Sequence, residues 1–340
     1  MRQTAGHAAF TLVELLVSMA LLALIMVLLA VMTSSTANTW RYTAGRIEQF
    51  KGASNAFDAM TRKVAQATLN TSWDYHFPGN DPSKQPDRYV RESTLRFLCG
   101  KTDALVKTSS PRRPTQGIFF QAPLGYVDDP QDFGGLDNLL NTWGYYVEFN
   151  KDNRPAFLDS IPNPPTPRYR YRLMELMEPS NDLSIYTKSS GNDTYAGHEW
   201  FTDALSAAPA PVHVLAENVV ALVLLPKLSK TEDPSGVKLA PNYTYDSTVT
   251  NPNDPSLDSK NQLPPVVQVT LVAIDDASAG RIAKGANVPA FDAELDNLFL
   301  DASRFDDDLQ TLQTTLATQH ISYRVFTSNV SLRGAKWSRK

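Results

Sequence analysis

AFTLVELLVSMALLALIMVLLAVM, residues 9–32, is the stretch whose reading decides the fold of this chain. From Phe10 to Met32 a helix would be about 35 Å long, enough to cross the roughly 30 Å hydrocarbon core of a bilayer. From Leu15 onward the one polar side chain is Ser18, whose hydroxyl can return to a carbonyl of the preceding turn. A helix apolar on every side predicts a membrane span rather than a stripe packed on a soluble core. Glu14 breaks the pattern, because a carboxylate in hydrocarbon costs about 2.5–3.5 kcal/mol even on lenient insertion scales. Just upstream lies MRQTAGHAA, a short polar leader that carries Arg2 and ends in small residues. A cut between Ala9 and Phe10 would place a new ammonium four residues before Glu14. That cation, in the same subunit or in a neighbour staggered along a filament, would neutralise the acid. The simpler alternative puts Glu14 at headgroup depth, where water hydrates it.

Phe10-Thr11-Leu12-Val13-Glu14-Leu15-Leu16-Val17 resembles the processing and methylation site of type IV pilins and of type II secretion pseudopilins. The resemblance implies a prepilin peptidase as partner, which removes the leader after Ala9 and N-methylates Phe10. It implies that Glu14 is the assembly glutamate and that other pilin or pseudopilin subunits are partners in a filament. The family usually has glycine before the cut; this chain has Ala9, which is small enough to fit, with Gly6 three positions upstream. Two further stretches extend the likeness. Phe57-Asp-Ala-Met-Thr-Arg-Lys-Val-Ala-Gln-Ala looks like the end of the long helix in the larger J-type minor pseudopilins, and the pairing of Ala216–Leu225 with Leu263–Ile274 is similar to their two late strands. The closing Tyr323-Arg-Val-Phe-Thr-Ser-Asn-Val-Ser-Leu-Arg-Gly-Ala-Lys-Trp-Ser resembles the end of a group of verrucomicrobial cassette proteins that carry the same N-terminal signal.

Composition narrows the alternatives. The chain has 340 residues, 32 Lys and Arg against 36 Asp and Glu, and a net charge of −4, a balance that gives no reason to expect nucleic acid as partner. Cys99 is the one cysteine, so no internal disulfide forms; the apolar Leu95-Arg96-Phe97-Leu98 context predicts a buried thiol. A conventional secretory signal has an apolar region of roughly 7–15 residues, shorter than this run. A lipoprotein anchor would need a cysteine near the start. Arg2 before the span, with Arg41 the next basic residue, favours the N-terminus inside and the rest of the chain on the periplasmic side of the inner membrane.

Downstream the helix is predicted to continue. No proline occurs from Thr33 to Leu69, and Ile47, Phe50, Phe57, Met60 and Val64 form one amphipathic stripe, with Arg46, Glu48, Gln49, Lys51, Asp58, Arg62 and Lys63 as a polar outer face. The stripe needs a sheet to cover it. Pro78-Gly79-Asn80-Asp81-Pro82 within 70–85 marks a loop. Strands are expected at Thr94–Cys99, Gly117–Gln121, Trp143–Phe149 and Tyr169–Leu173; in the third, Trp143, Tyr145, Val147 and Phe149 form a buried face and Gly144, Tyr146 and Glu148 an open one. Val219–Leu225 and Val266–Ile274 read as central strands, Ser229–Gln262 as a long exposed loop, and Phe305, Leu309, Leu312 and Leu316 as a second amphipathic helix. Ile321–Leu332 closes the chain as a strand.

These expectations give an α+β fold with four segments: a leader over 1–9, a transmembrane and filament-core helix over 10–32, an amphipathic extension over 33–69, and a β-rich head over 70–340. Enzyme signatures are missing. His7, His76, His198, His213 and His320 are scattered, His198-Glu199 lacks the second histidine of a zinc-binding helix, and no Gly-x-Ser-x-Gly elbow or phosphate-cradling loop occurs. Asp128, Asp129, Asp132 and Asp137 gather in a loop of the kind that can offer calcium hard oxygen ligands, but their spacing fits no ordered ligand pattern. Asp306-Asp307-Asp308 reads as a solvated first turn of a helix. No cofactor and no metal is expected. The reading is a non-enzymatic minor subunit of a pilus or pseudopilus; the alternative from another class is a single-span, membrane-anchored periplasmic enzyme or binding protein.

Overall fold

A computed structural model of the chain describes residues 12–107, 111–136, 139–151, 156–164, 167–187, 197–282 and 291–337, and of 37–49, 136, 156, 159, 186 and 187 the backbone alone. The chain divides into two units, Met1–Gln49 and Phe50–Lys340. The first is helical. Helix α1 spans Leu12–Val64, and from Leu12 to Thr36 it is built of leucine, alanine, methionine and valine with no residue buried. Its hydroxyls are satisfied within the helix: Ser18 Oγ donates to Leu15 O at 2.9 Å, Thr33 Oγ1 to Leu29 O at 2.8 Å and Thr36 Oγ1 to Met32 O at 2.8 Å. These three hydroxyls return their protons to the helix backbone, as a hydrocarbon environment requires.

In the second unit, the described residues form antiparallel sheets around one large core. The strands are β1 (Ser72–His76), β2 (Arg88–Glu92), β3 (Phe97–Lys101), β4 (Gln116–Ala122), β5 (Asn141–Lys151), β6 (Tyr169–Glu178), β7 (Val212–Glu217), β8 (Val219–Lys227), β9 (Tyr245–Asp246), β10 (Val266–Ile274) and β11 (Tyr323–Ser331). They assemble in the orders β7-β6-β5-β4-β3-β9, β11-β10-β8 and β1-β2. Phe50, Ala53, Phe57, Met60 and Val64 of α1 recur every three or four residues and join the core formed by the two larger sheets; Phe57 meets Phe326 of β11 with ring centroids 5.8 Å apart. Ile47, the first residue of the expected stripe, has its side chain outside the described residues. Together these elements make the α+β fold expected from the sequence.

Helix α1 ends at Val64, earlier than the expected Leu69. Ala67 N closes a tighter turn on Val64 O at 3.0 Å, and Thr68 N already bonds Gln121 O at the end of β4, at 2.9 Å. Competition from the end of β4 stops the helix, with no proline needed. The expectation of two central strands holds for β10, flanked by β8 and β11. β8 stands at the edge of that hydrogen-bonded order and is buried because it lies against β4, β5 and β6 of the larger sheet. Burial on both faces explains its unbroken apolar run.

Two expectations about exposure are corrected. Both faces of β5 are buried: opposite Trp143, Tyr145 and Val147, Tyr146 packs with Trp200 and Phe201 of the helix Glu199–Ser206, and Glu148 is buried against Arg113. Phe119 stacks on Phe201 at 3.8 Å, and a Cβ at Gly144 would overlap the Phe119 ring, so the glycine permits that stacking. Nor is 229–262 an exposed loop. Leu239, Ala240, Tyr243 and Tyr245 enter the core, and Tyr245 Oη donates to Gln262 O at 2.8 Å. Its polar residues make turns: Asp233 accepts from Ser235 N and Lys238 N at 3.0 and 2.8 Å, and Asn251 donates to Leu239 O at 2.9 Å. Asp and Asn here build backbone turns in place of solvating a tail. The 70–85 loop region also contains strand: the ribbon β1-β2 brackets the proline-rich turn at 78–82.

The helix Phe305–Thr318 forms as the spacing predicts, with Leu312 and Leu316 buried. Asp306 and Asp307 are exposed in its first turn, but Asp308 turns inward and accepts from Phe299 N at 2.8 Å.

Candidate functional site

Glu14 stands in the first turn of α1, at the favourable end of the helix dipole and at the start of the apolar segment Leu12–Thr36. The segment is long and apolar enough to cross a membrane, about 38 Å by helix rise. Ala9 and Phe10, the expected cleavage and methylation positions, lie outside the described residues. Residues 5–30 match the prokaryotic N-terminal methylation motif. That match covers Ala9, Phe10 and Glu14 and reaches well into α1. This start is therefore the type IV pilin-like signal of a precursor handled by prepilin peptidase. Comparison with curated proteins and with solved structures finds no match for the chain.

Within the head, the strongest polar arrangement ties α1 to the sheet. Lys63 Nζ donates to Glu175 Oε1 at 2.8 Å, and the same oxygen accepts from Trp143 Nε1 at 2.9 Å and Tyr145 Oη at 2.7 Å. Glu175 is buried on β6. Burial, and then the neighbouring carboxylate, push the Tyr145 hydroxyl far above its ordinary range, so it stays protonated as a donor. Lys63, expected on the polar outer face, turns its ammonium inward to lie 4.1 Å from the Trp143 ring centroid. The sequence signal was available. Tyr171, Leu173 and Glu175 alternate on one face of a strand, and an acid on a core-facing position calls for a partner.

Other candidates stay separate. His76 Nδ1 pairs with Asp87 at 2.6 Å, His198 Nδ1 with Leu105 O at 2.9 Å, His213 is on β7 and His320 follows the last helix. His7 lies outside the described residues. Asp129 caps the helix Pro130–Phe133 by accepting from Gln131 N and Asp132 N at 2.8 and 3.4 Å, and Asp128 accepts from Tyr126 Oη at 3.1 Å. Asp137 is outside the described residues. Among the described residues no three His, Cys, Asp or Glu converge as a metal site. Cys99 is fully buried, its Sγ 3.8 Å from Leu224 O and 3.7 Å from Tyr243 O, and burial pushes the thiol up, away from the reactive thiolate. A cleft of about 380 Å³ is lined by Lys227, Gln268, Ser235, Ser303, Phe305 and Asp306. Burial lowers the Lys227 pKa, and its ammonium is bonded to Gln268 Oε1 at 2.5 Å.

Proposed function

We propose that this chain is a pilin-like subunit whose role is structural: prepilin peptidase removes residues 1–9, methylates Phe10, and the mature protein is stored in the inner membrane with its head on the periplasmic side until a filament takes it up. The observation that supports this most directly is the methylation motif over residues 5–30 running straight into the bare apolar helix Leu12–Thr36 headed by Glu14. Helix packing supplies the filament core, and the terminal ammonium of one subunit attracts Glu14 of the next, fixing axial register without any catalytic step. A head that occupies Phe50–Lys340 is bulky to repeat at every position of a shaft. That favours a minor position in a type IV pilus or type II secretion pseudopilus, of the J type or of the cassette group with the same signal.

Glu14→Leu tests the register step. The variant is expected to be processed and retained in the membrane yet lost from sheared filaments. Incorporation equal to the parent chain would contradict the role given to Glu14.

A further inference from the structure

The ribbon β1-β2 carries an aromatic face that subunit assembly through α1 does not use. Its register sets Trp73 opposite Arg91 and Tyr75 opposite Tyr89, so all four share one side of the ribbon. Trp73, Tyr75 and Tyr89 are 62%, 51% and 63% exposed. Tyr75 and Tyr89 lie 5.1 Å apart with planes tilted by 32°, and Phe77 continues the row 6.4 Å from Tyr75. Large apolar rings grouped in water mark a binding surface more often than chance exposure does.

The face is held at its Trp73–Arg91 end and at its base. The Arg91 guanidinium sits 5.4 Å from the Trp73 ring centroid and is ion-paired to Asp258 of the packed 229–262 segment. Asn261 Nδ2 donates to Arg91 O at 2.6 Å. At the base, Asn70 Oδ1 accepts from Thr94 N at 3.0 Å and Leu95 N at 3.2 Å. A platform so anchored loses little conformational entropy when a ligand lands on it.

Charge and composition select the ligand. Asp87 is bound to His76 at 2.6 Å and Arg88 at 3.4 Å, Asp81 to Lys84 at 3.9 Å, and Arg91 to Asp258. Asp74 and Glu92 belong to the opposite side of the ribbon. On the aromatic side the one charged residue of the two strands, Arg91, is paired with Asp258, so this side offers no unpaired charge of its strands to a polyanion or polycation, and an uncharged ligand is its complement. Val90, the aliphatic residue of the two strands, also belongs to the other side. Rings without aliphatic neighbours suit the polarised C–H faces of a pyranose, which meet a π-face well, while tyrosine hydroxyls supply donors and acceptors at the rim. We propose that the Trp73–Tyr75–Tyr89 face is a stacking platform for a neutral polysaccharide.

The test is native affinity electrophoresis of the detergent-solubilised full chain in gels containing hydroxyethyl cellulose or galactomannan, with carboxymethyl cellulose as the anionic counterpart, and light scattering to follow self-association. At least one neutral polymer is expected to retard the chain. Trp73→Ala and Trp73→Leu should each weaken that retardation at least tenfold, while Tyr89→Phe, which keeps the ring, should retain it. Circular dichroism of each variant should match the parent; if a Trp73 variant fails to fold, Tyr89→Ala against Tyr89→Phe decides the same question. The proposal is overturned if neither neutral polymer retards the chain, if retardation occurs with the anionic polymer alone, or if Trp73→Leu binds as well as the parent. It is equally overturned if the Trp73 variants abolish self-association and leave polymer binding intact, because the face would then be a protein contact.

Discussion

Lys63 Nζ and Glu175 Oε1 meet at 2.8 Å beneath the indole of Trp143, joining α1 to the middle of the six-stranded sheet through a carboxylate that also accepts from Trp143 and Tyr145. The Lys63 side chain is 29% exposed and that of Glu175 is 6% exposed, so the pair is screened far less than a surface salt bridge. Lys63→Met would leave the Glu175 charge with its two neutral donors only and should cost about 1–3 kcal/mol, seen as a fall of several degrees in the unfolding midpoint. Glu175→Gln keeps an acceptor for all three donors and should cost less. Equal losses in calorimetry would show that the retained hydrogen bonds contribute nothing beyond the charge pairing.

Gly144 and Phe119 give a packing prediction. With Phe119 stacked on Phe201 at 3.8 Å, the ring has nowhere to retreat from a methyl at residue 144. Gly144→Ala should destabilise by about 1–3 kcal/mol, the usual range for overpacking. Adding Phe119→Leu should recover part of that loss, so the double variant is more stable than the two single effects summed. Strict additivity in urea unfolding would place the strain elsewhere.

Asp233 governs part of the acid limb. Burial opposes its ionisation, but hydrogen bonds from Ser235 Oγ and from the amides of Lys238, Gly236 and Ser235 outweigh it and hold the carboxyl below its ordinary range. A folded-state pKa below the unfolded value adds stability above the ordinary carboxylate range, and that contribution is lost as pH falls through the folded value. Asp233→Asn should therefore narrow the stability gap to the parent as pH drops below about 4. Melting curves between neutral and acid pH check it; a constant gap would assign the acid sensitivity to other groups.

Much of this architecture was legible because hydrophobic period is a local signal. The apolar span read at 10–32, the stripe Ile47–Val64, the strand Val266–Ile274 and the helix beginning at Phe305 all announce themselves by composition or spacing. What escaped depended on distant partners. Nothing near Tyr146 in the sequence says that Trp200 and Phe201 will cover it, so β5 reads as one-faced. The Asp, Asn, Ser and Pro of 229–262 look solvated until Tyr243 and Tyr245 pull the segment into the core and Asp233, Asp246 and Asp254 each accept from an amide two residues on. The proline-rich turn at 78–82 hid the ribbon it closes, and with it the exposed row Trp73, Tyr75 and Tyr89. At the N-terminus, by contrast, the motif is carried by contiguous residues, which is why Ala9, Phe10 and Glu14 could be named without a fold.

The measurement that bears most directly on the central claim is mass spectrometry of the mature N-terminus, made on protein from cells with active prepilin peptidase. A first peptide beginning at Phe10, heavier by one methyl group on its amine, is the expected result. A chain that keeps Met1 through Ala9, or that is cut beyond the apolar helix, would contradict processing as a pilin-like precursor.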